Sequence, residues 1–193
     1  MKVAFINASP RKNNSISLQL LRAMEERLPG CEIVRGWDSV PGGADAIVVA
    51  FPLYVDGIPS NLLRELAARE QGLPPGARVY AMVNNGFYEG AQNAHAISML
   101  RNWCARAKLA WGQGVGVGGG GMLSSRKPGR GPLKSVGAAL DAMAANILTG
   151  TGGEDLYTSP DIPRALYKLG GAMGLRAQGR KNGLTKQEMA RKL

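Results

Sequence analysis

The segment Asn7-Ala8-Ser9-Pro10-Arg11-Lys12-Asn13-Asn14-Ser15 follows the apolar run Val3–Ile6 and precedes a helical pattern. Small hydroxyl residues and a charged pair, placed where a strand hands over to a helix, are the residue types that hold a phosphate. Such a turn offers unpaired backbone N–H groups and the positive end of the helix dipole. Ser9, Ser15 and Ser17 add hydroxyl donors, and Arg11 adds a charged one. No Walker lysine pattern is present, so a nucleoside triphosphate is not favoured. The same residues also suit a helix cap with a solvated Arg-Lys pair, and the segment alone does not decide between the two.

Two further segments carry a different chemistry. Phe51-Pro52-Leu53-Tyr54-Val55-Asp56-Gly57-Ile58-Pro59-Ser60 follows a second apolar run and is unusually apolar for a strand-to-helix connection. Such surface avoids water unless something covers it, and a planar ring would. Asn84-Asn85-Gly86-Phe87-Tyr88-Glu89-Gly90 follows a third run and combines amide donors, aromatics and glycines that allow close backbone approach. Either segment alone reads equally as core packing. Taken together, the three describe a cofactor with a phosphate at one end and a planar heterocycle at the other.

The elements that must position these segments alternate along the chain. Strands are expected at Val3–Ile6, Glu32–Gly36, Ala46–Ala50, Arg78–Val83 and Trp111–Val117. Helical spacing of apolar residues marks Ser17–Leu28, Asn61–Arg69 behind a Ser60 cap, Ala91–Lys108 and Leu133–Leu148. Leu62, Leu63 and Leu66 are expected on one face of the second of these. Pro29-Gly30 stops the first helix, and Leu73-Pro74-Pro75-Gly76 is a turn. Continuous apolar strands alternating with helices predict a parallel sheet covered on both faces. The reading is α/β: a doubly wound, five-stranded, flavodoxin-like sheet of order 2-1-3-4-5, with ligands bound beyond the strand C-termini. Residues 1–150 form this domain, and residues 151–193 form a basic helical extension packed on it. Within the extension, Pro160–Leu175 is helical, with Ile162, Leu166, Leu169 and Met173 on one face, and Thr185-Lys186-Gln187-Glu188 is a capping box.

Composition narrows the function. The chain of 193 residues carries a formal net charge of +10, concentrated at Arg126–Arg130 and in the tail. Such a field attracts anions, whether phosphorylated cofactors, nucleic acid or acidic surfaces, and it is also compatible with a solvated basic face. Cys31 and Cys104 lie far apart without a C-x-x-C, which argues against a disulfide framework or a zinc site. His95 is the single histidine, which excludes a multi-histidine metal site. Four apolar residues before Asn7 are too few for a signal-peptide core, so a cytoplasmic location is expected.

On these residues the chain resembles a known family. INASPRKNNSIS looks like the phosphate loop of the flavodoxin-like NAD(P)H-dependent FMN reductases and quinone reductases. FPLYVDGIPSNL is similar to their second flavin segment, and NNGFYEG falls where they place a third. Ala8 stands where the family has glycine, and Asn84-Asn85 differs from its commoner Thr/Ser-x-Gly. The resemblance implies an FMN whose phosphate meets Ser9, Arg11, Asn14, Ser15, Ile16 and Ser17. It implies Pro52, Leu53, Tyr54 and Val55 beside the ring and ribityl chain, and Asn84, Asn85, Gly86 and Phe87 near the pyrimidine edge. NADH or NADPH as co-substrate, a quinone, flavin or similar small acceptor, and a homodimer are implied as well. The flavin carries the chemistry, so no catalytic side chain is required.

Rival readings remain. A flavodoxin-type electron carrier would hold the same FMN, but such carriers are commonly acidic and use a T-x-T-G-N-T-like loop that this chain lacks. A nucleic-acid binder would use the basic tail from Arg164 onward, where Tyr167 is the one aromatic and no binding module is recognisable. Gly114-Val115-Gly116-Val117-Gly118-Gly119 fits G-x-G-x-x-G, but no helix is expected to open there, so a strand made slim for a neighbouring backbone or ligand is the better reading. The basic loop Arg126–Arg130 is a candidate for pyridine nucleotide phosphates. Met99 and Trp103 are candidates for a dimer surface or for ordinary secondary packing.

Overall fold

The apolar runs of the sequence become the strands of one parallel sheet. The computed structural model describes residues 1–41, 43–73 and 76–189. β1 (Lys2–Asn7), β2 (Glu32–Arg35), β3 (Ala46–Pro52), β4 (Arg78–Asn84), β5 (Ala110–Val117) and β6 (Leu156–Thr158) are arranged β2-β1-β3-β4-β5-β6. Every neighbouring pair is parallel, so all the strands present their C-terminal ends along one edge. The expected order is found with a correction: the sheet has six strands, not five. β6 is 3 residues long, and of these only Thr158 is buried. It pairs with Val115–Val117 of β5, but so short a strand leaves no apolar run in the sequence.

Helices cover both faces, as a fully apolar parallel sheet requires. On one face lie α1 (Ile16–Glu25) and α4 (Lys134–Thr149), contributing Leu20, Met24, Val136, Leu140 and Met143 to the core. On the other lie α2 (Ser60–Ala68) and α3 (Ala94–Arg106), contributing Leu62, Leu66, Ile97 and Leu100. Ser60 is the first residue of α2 and makes no capping bond; Pro59 precedes it with the extended ψ of a cap. Leu63 is exposed rather than aligned with Leu62 and Leu66. Gly90–Asn93 forms a separate 3₁₀ turn ahead of α3. The turn expected at Leu73–Gly76 includes Pro74 and Pro75, which lie outside the described residues.

Trp103 settles one open reading. It is buried, donates its indole N–H to Leu66 O at 2.8 Å, and meets Trp37 edge-on at 6.3 Å. Edge-to-face rings at that spacing are core packing. Burial also pushes the Cys104 thiol up to about 12, so at pH 8 it stays protonated and unreactive. Ellman's reagent should therefore label one thiol of the native protein, the half-buried Cys31, and both in urea. Two labelled thiols in the native state would contradict this packing.

The chain divides into Met1–Pro160 and Asp161–Leu193. The second unit contains α5 (Arg164–Lys181), which runs through Gly170-Gly171, and α6 (Lys186–Met189). The capping box forms at α6: Glu188 N donates to Thr185 Oγ1, and Glu188 Oε2 accepts from Thr185 N and its hydroxyl, each at 2.7 Å. These bonds favour the carboxylate and hold its pKa below the ordinary value. The cap is thus complete at neutral pH and is lost as pH falls through that lowered pKa.

Candidate functional site

The three chemistry-bearing segments emerge from β1, β3 and β4 at the C-terminal edge of the sheet, and buried amides tie them to one another. Asn7, the last residue of β1, organises the first. Its side-chain oxygen accepts from Ser9 N at 3.2 Å, and its amide donates to Lys12 O at 2.7 Å. Ser9 is buried and its hydroxyl oxygen accepts from Arg11 N at 3.3 Å. Ser15 caps α1: its Oγ accepts from Leu18 N at 3.2 Å and donates to Lys12 O. That cap leaves the N–H groups of Ser15, Ile16 and Ser17 without a protein acceptor among the described residues, as a helix start must. Arg11 and Asn14 are exposed beside them, and Arg11 has no ion pair among the described residues. The donor set therefore suits a phosphate, with backbone amides at a helix start and a free guanidinium close by in the chain.

The second segment is a tight hairpin. Tyr54 N donates to Gly57 O at 3.1 Å, and Gly57 N donates back to Tyr54 O at 2.9 Å. Between them Val55 and Asp56 have φ of +48° and +54°, the geometry of a type I′ turn that favours Asn-Gly. A fully exposed β-branched valine there is strained. Val55→Asn should stabilise the protein by about 1 kcal/mol, read as a higher urea midpoint at unchanged m-value. Pro52 and Leu53 are half-buried at its base, and Tyr54 is exposed.

The third segment departs from expectation in how its amides are used. Asn84 is buried, and its side-chain N–H groups donate to Ser17 Oγ at 3.0 Å and Phe51 O at 3.1 Å. Asn85 is also buried, accepting from Phe87 N at 2.9 Å and donating to Glu89 O at 3.1 Å. These two side chains shape the edge from within, whereas Gly86 and Phe87 are exposed upon it. Asn84 links α1, β3 and β4 in one residue. Leu53 N on Asn84 O at 2.8 Å closes the second segment onto the third.

Two contributors escape sequence reading. Asn7 lies within the first segment but carries no charge or hydroxyl to mark it. Asn61, in the first turn of α2, donates to Ala8 O at 3.0 Å and so holds the first segment against the second helix. Its Oδ1 is buried with no partner among the described residues. Asparagine beside a helix start is too common for either to stand out.

The glycine-rich β5 is slim for neighbouring backbone. A Cβ on Gly118 would strike Tyr88 O, and one on Gly116 would lie 2.8 Å from Gly90 O. Only a short 3₁₀ turn, Gly120–Ser124, follows, so the dinucleotide pattern lacks its helix. Among the described residues, no cluster of histidine, cysteine or carboxylates could hold a metal, and no helix is long and apolar enough to cross a membrane.

No family model and no curated sequence matches the chain. Solved structures do match. A flavodoxin of Streptococcus pneumoniae TIGR4 superposes with a TM-score of 0.59 at 14% identity, over 77% of this chain and 99% of that one. The fold is flavodoxin-like. An NAD(P)H:quinone oxidoreductase from Methanothermobacter marburgensis gives 0.56 at 14% identity, over 76% and 96%. A flavodoxin, WrbA-like protein from Agrobacterium tumefaciens gives 0.54 at 12%, over 77% and 96%. In this flavodoxin-like sheet the three segments sit where doubly wound folds bind ligands, beyond the strand C-termini at the β1/β3 switch point.

Proposed function

We propose that the chain is an FMN-dependent NAD(P)H oxidoreductase acting on a quinone, a flavin or a similar small acceptor. The observation that carries this reading is the convergence held by Asn84. Unpaired amides at the α1 start are tied through one buried side chain to two segments that expose apolar and aromatic groups. A phosphate-bearing planar cofactor matches that pairing. Ser15, Ile16 and Ser17 would hold the phosphate through their N–H groups, with Ser9 and Arg11 adding a hydroxyl and a charge. Tyr54, Val55, Gly86 and Phe87 would flank the ring and exclude water from one of its faces. FMN, when bound, supplies the hydride and electron transfer. The chain's own part is to bind it, orient it and leave one face open to NAD(P)H and then to the acceptor. The net charge of +10 supports attraction of these anionic ligands.

The decisive experiment is the absorbance spectrum of the purified protein, before and after adding FMN, followed by bleaching with NADH and NADPH in separate cuvettes. A colourless protein that takes up no FMN overturns the proposal. Bound FMN without steady NAD(P)H oxidation in the presence of a quinone would favour an electron carrier of the flavodoxin type. Within the phosphate segment, Ser9→Ala or Arg11→Ala should weaken FMN retention about tenfold, the loss of one charge-assisted bond. Lys12→Ala should change it little, because Lys12 contributes its backbone carbonyl to Asn7 and Ser15. Dialysis against buffer, followed by flavin fluorescence, reads the difference. The homodimer implied by the resemblance is checked by sedimentation with FMN bound.

A further inference from the structure

A second cluster of basic residues lines the loop that follows β5. The chain from Leu123 to Arg130 folds back along α1 and borders an open cleft of about 710 Å³. Its walls include Arg22 and Arg27 from α1 and its C-terminal extension, and Arg126, Lys127 and Arg130 from the loop, with Glu26 the one acidic residue among them. Arg22 lies six residues beyond Ile16, roughly 9 Å along the helix from the candidate phosphate site. Gln19 lines the near end of the cleft and the basic loop its far end, so its arginines lie beyond the phosphate segment.

Two of these cations are already paired. Arg27 binds Asp141 of α4 at 2.6 Å and Ala23 O at 2.8 Å, and Lys127 lies 3.5 Å from Glu26. Arg22, Arg126 and Arg130 have no acidic partner among the described residues. Like charges gathered around a concavity repel one another, and a polyanion relieves that repulsion. Arginine is the side chain suited to the task, because its planar fork engages phosphate bidentately.

The loop is fixed rather than draped. Gly129 N donates to Leu133 O at 2.8 Å, and both Leu123 and Leu133 are buried anchors. Gly137 of α4 has no side chain where the loop crosses it. A Cβ there would strike Gly129 Cα and lie 2.6 Å from Gly129 N. The cavity is thus preformed, and its volume falls in the range of small-molecule sites. It exceeds what inorganic phosphate needs, and Ala23 and Pro128 add apolar wall.

We propose that this cavity binds an organic oligophosphate of the nucleoside diphosphate class, independently of the flavin reading. A cleft of this bounded volume, walled by one helix and one loop, suits a free nucleotide better than a nucleic-acid backbone, which tracks a longer groove. The test is calorimetric titration of the purified protein with ADP, with and without a saturating excess of FMN. The expected result is micromolar binding that FMN leaves unchanged, with adenosine at least a hundredfold weaker. Arg126→Ala/Arg130→Ala and, separately, Arg22→Ala should each weaken ADP at least tenfold, and Arg126→Lys/Arg130→Lys should lie between. Circular dichroism of each variant confirms that the exposed substitutions leave the fold intact. No ADP binding, equal binding of adenosine, or displacement of ADP by FMN would each overturn the proposal. So would tighter binding of a twelve-nucleotide single strand that the arginine variants abolish, since that assigns the cavity to nucleic acid.

Discussion

Replacing Gly90 by alanine is expected to cost about 3 kcal/mol or more. Gly90 is buried where the third segment turns into α3. An added Cβ would strike Thr158 O and lie 2.5 Å from Gly116 O and 2.7 Å from Thr158 N. All three atoms are backbone of β5 and β6, so none can rotate away as a side chain would. Accommodation requires β6 to leave β5 or the turn to lift off both. At this chain length the loss corresponds to a melting temperature lower by roughly 6–12 °C. Gly86→Ala is the control, because that glycine is exposed and a Cβ there meets nothing within 4 Å. It should change stability by less than about 0.5 kcal/mol. If the flavin ring lies where we propose, it should nonetheless weaken FMN retention, which separates damage to the site from damage to the fold. A Gly90→Ala protein melting within 2 °C of the parent, an allowance of roughly 0.5 kcal/mol, would show that β6 is not held as described.

Asn84→Ala should cost about 2 kcal/mol, from the loss of two buried hydrogen bonds. Its effect on FMN should be larger than that stability change alone implies. Without the amide, α1 and β3 lose their common tether, and the amides of the α1 start are no longer positioned against the apolar segments. A tenfold or greater rise in the FMN dissociation constant is expected, measured by fluorescence quenching on a variant that still unfolds cooperatively. Asn84→Asp should behave similarly, because a carboxylate cannot donate to Ser17 Oγ or Phe51 O. Wild-type affinity in both variants would remove Asn84 from the site and weaken the flavin reading with it.

The legible part of this fold is the part written in long apolar runs. Ala46–Ala50 and Arg78–Val83 fall on β3 and β4 almost end to end, because strands buried on both faces tolerate little else. β6 was invisible for the opposite reason, since its Tyr157 is exposed and its pairing partner is glycine-rich. The glycines at 114, 116 and 118 mark close approach, but of the three only a Cβ on Gly116 would meet β6, through Tyr157; one on Gly114 would meet Ile97 and one on Gly118 would meet Tyr88. At the site, the positions of the three segments were readable, but the work of individual amides was not. Asn84 and Asn85 read from sequence as ligand donors, and the structure turns them inward. An asparagine side chain is equally able to do either, and only its neighbours in space decide.

The two margins of the sheet bear on self-association. At one, Glu32 and Arg35 flank a strand of 4 residues; at the other, β6 offers only 3. Short and charged borders of this kind discourage strand addition from another molecule and the fibrous aggregates that follow from it. Association of copies is therefore not expected to proceed by extending the sheet.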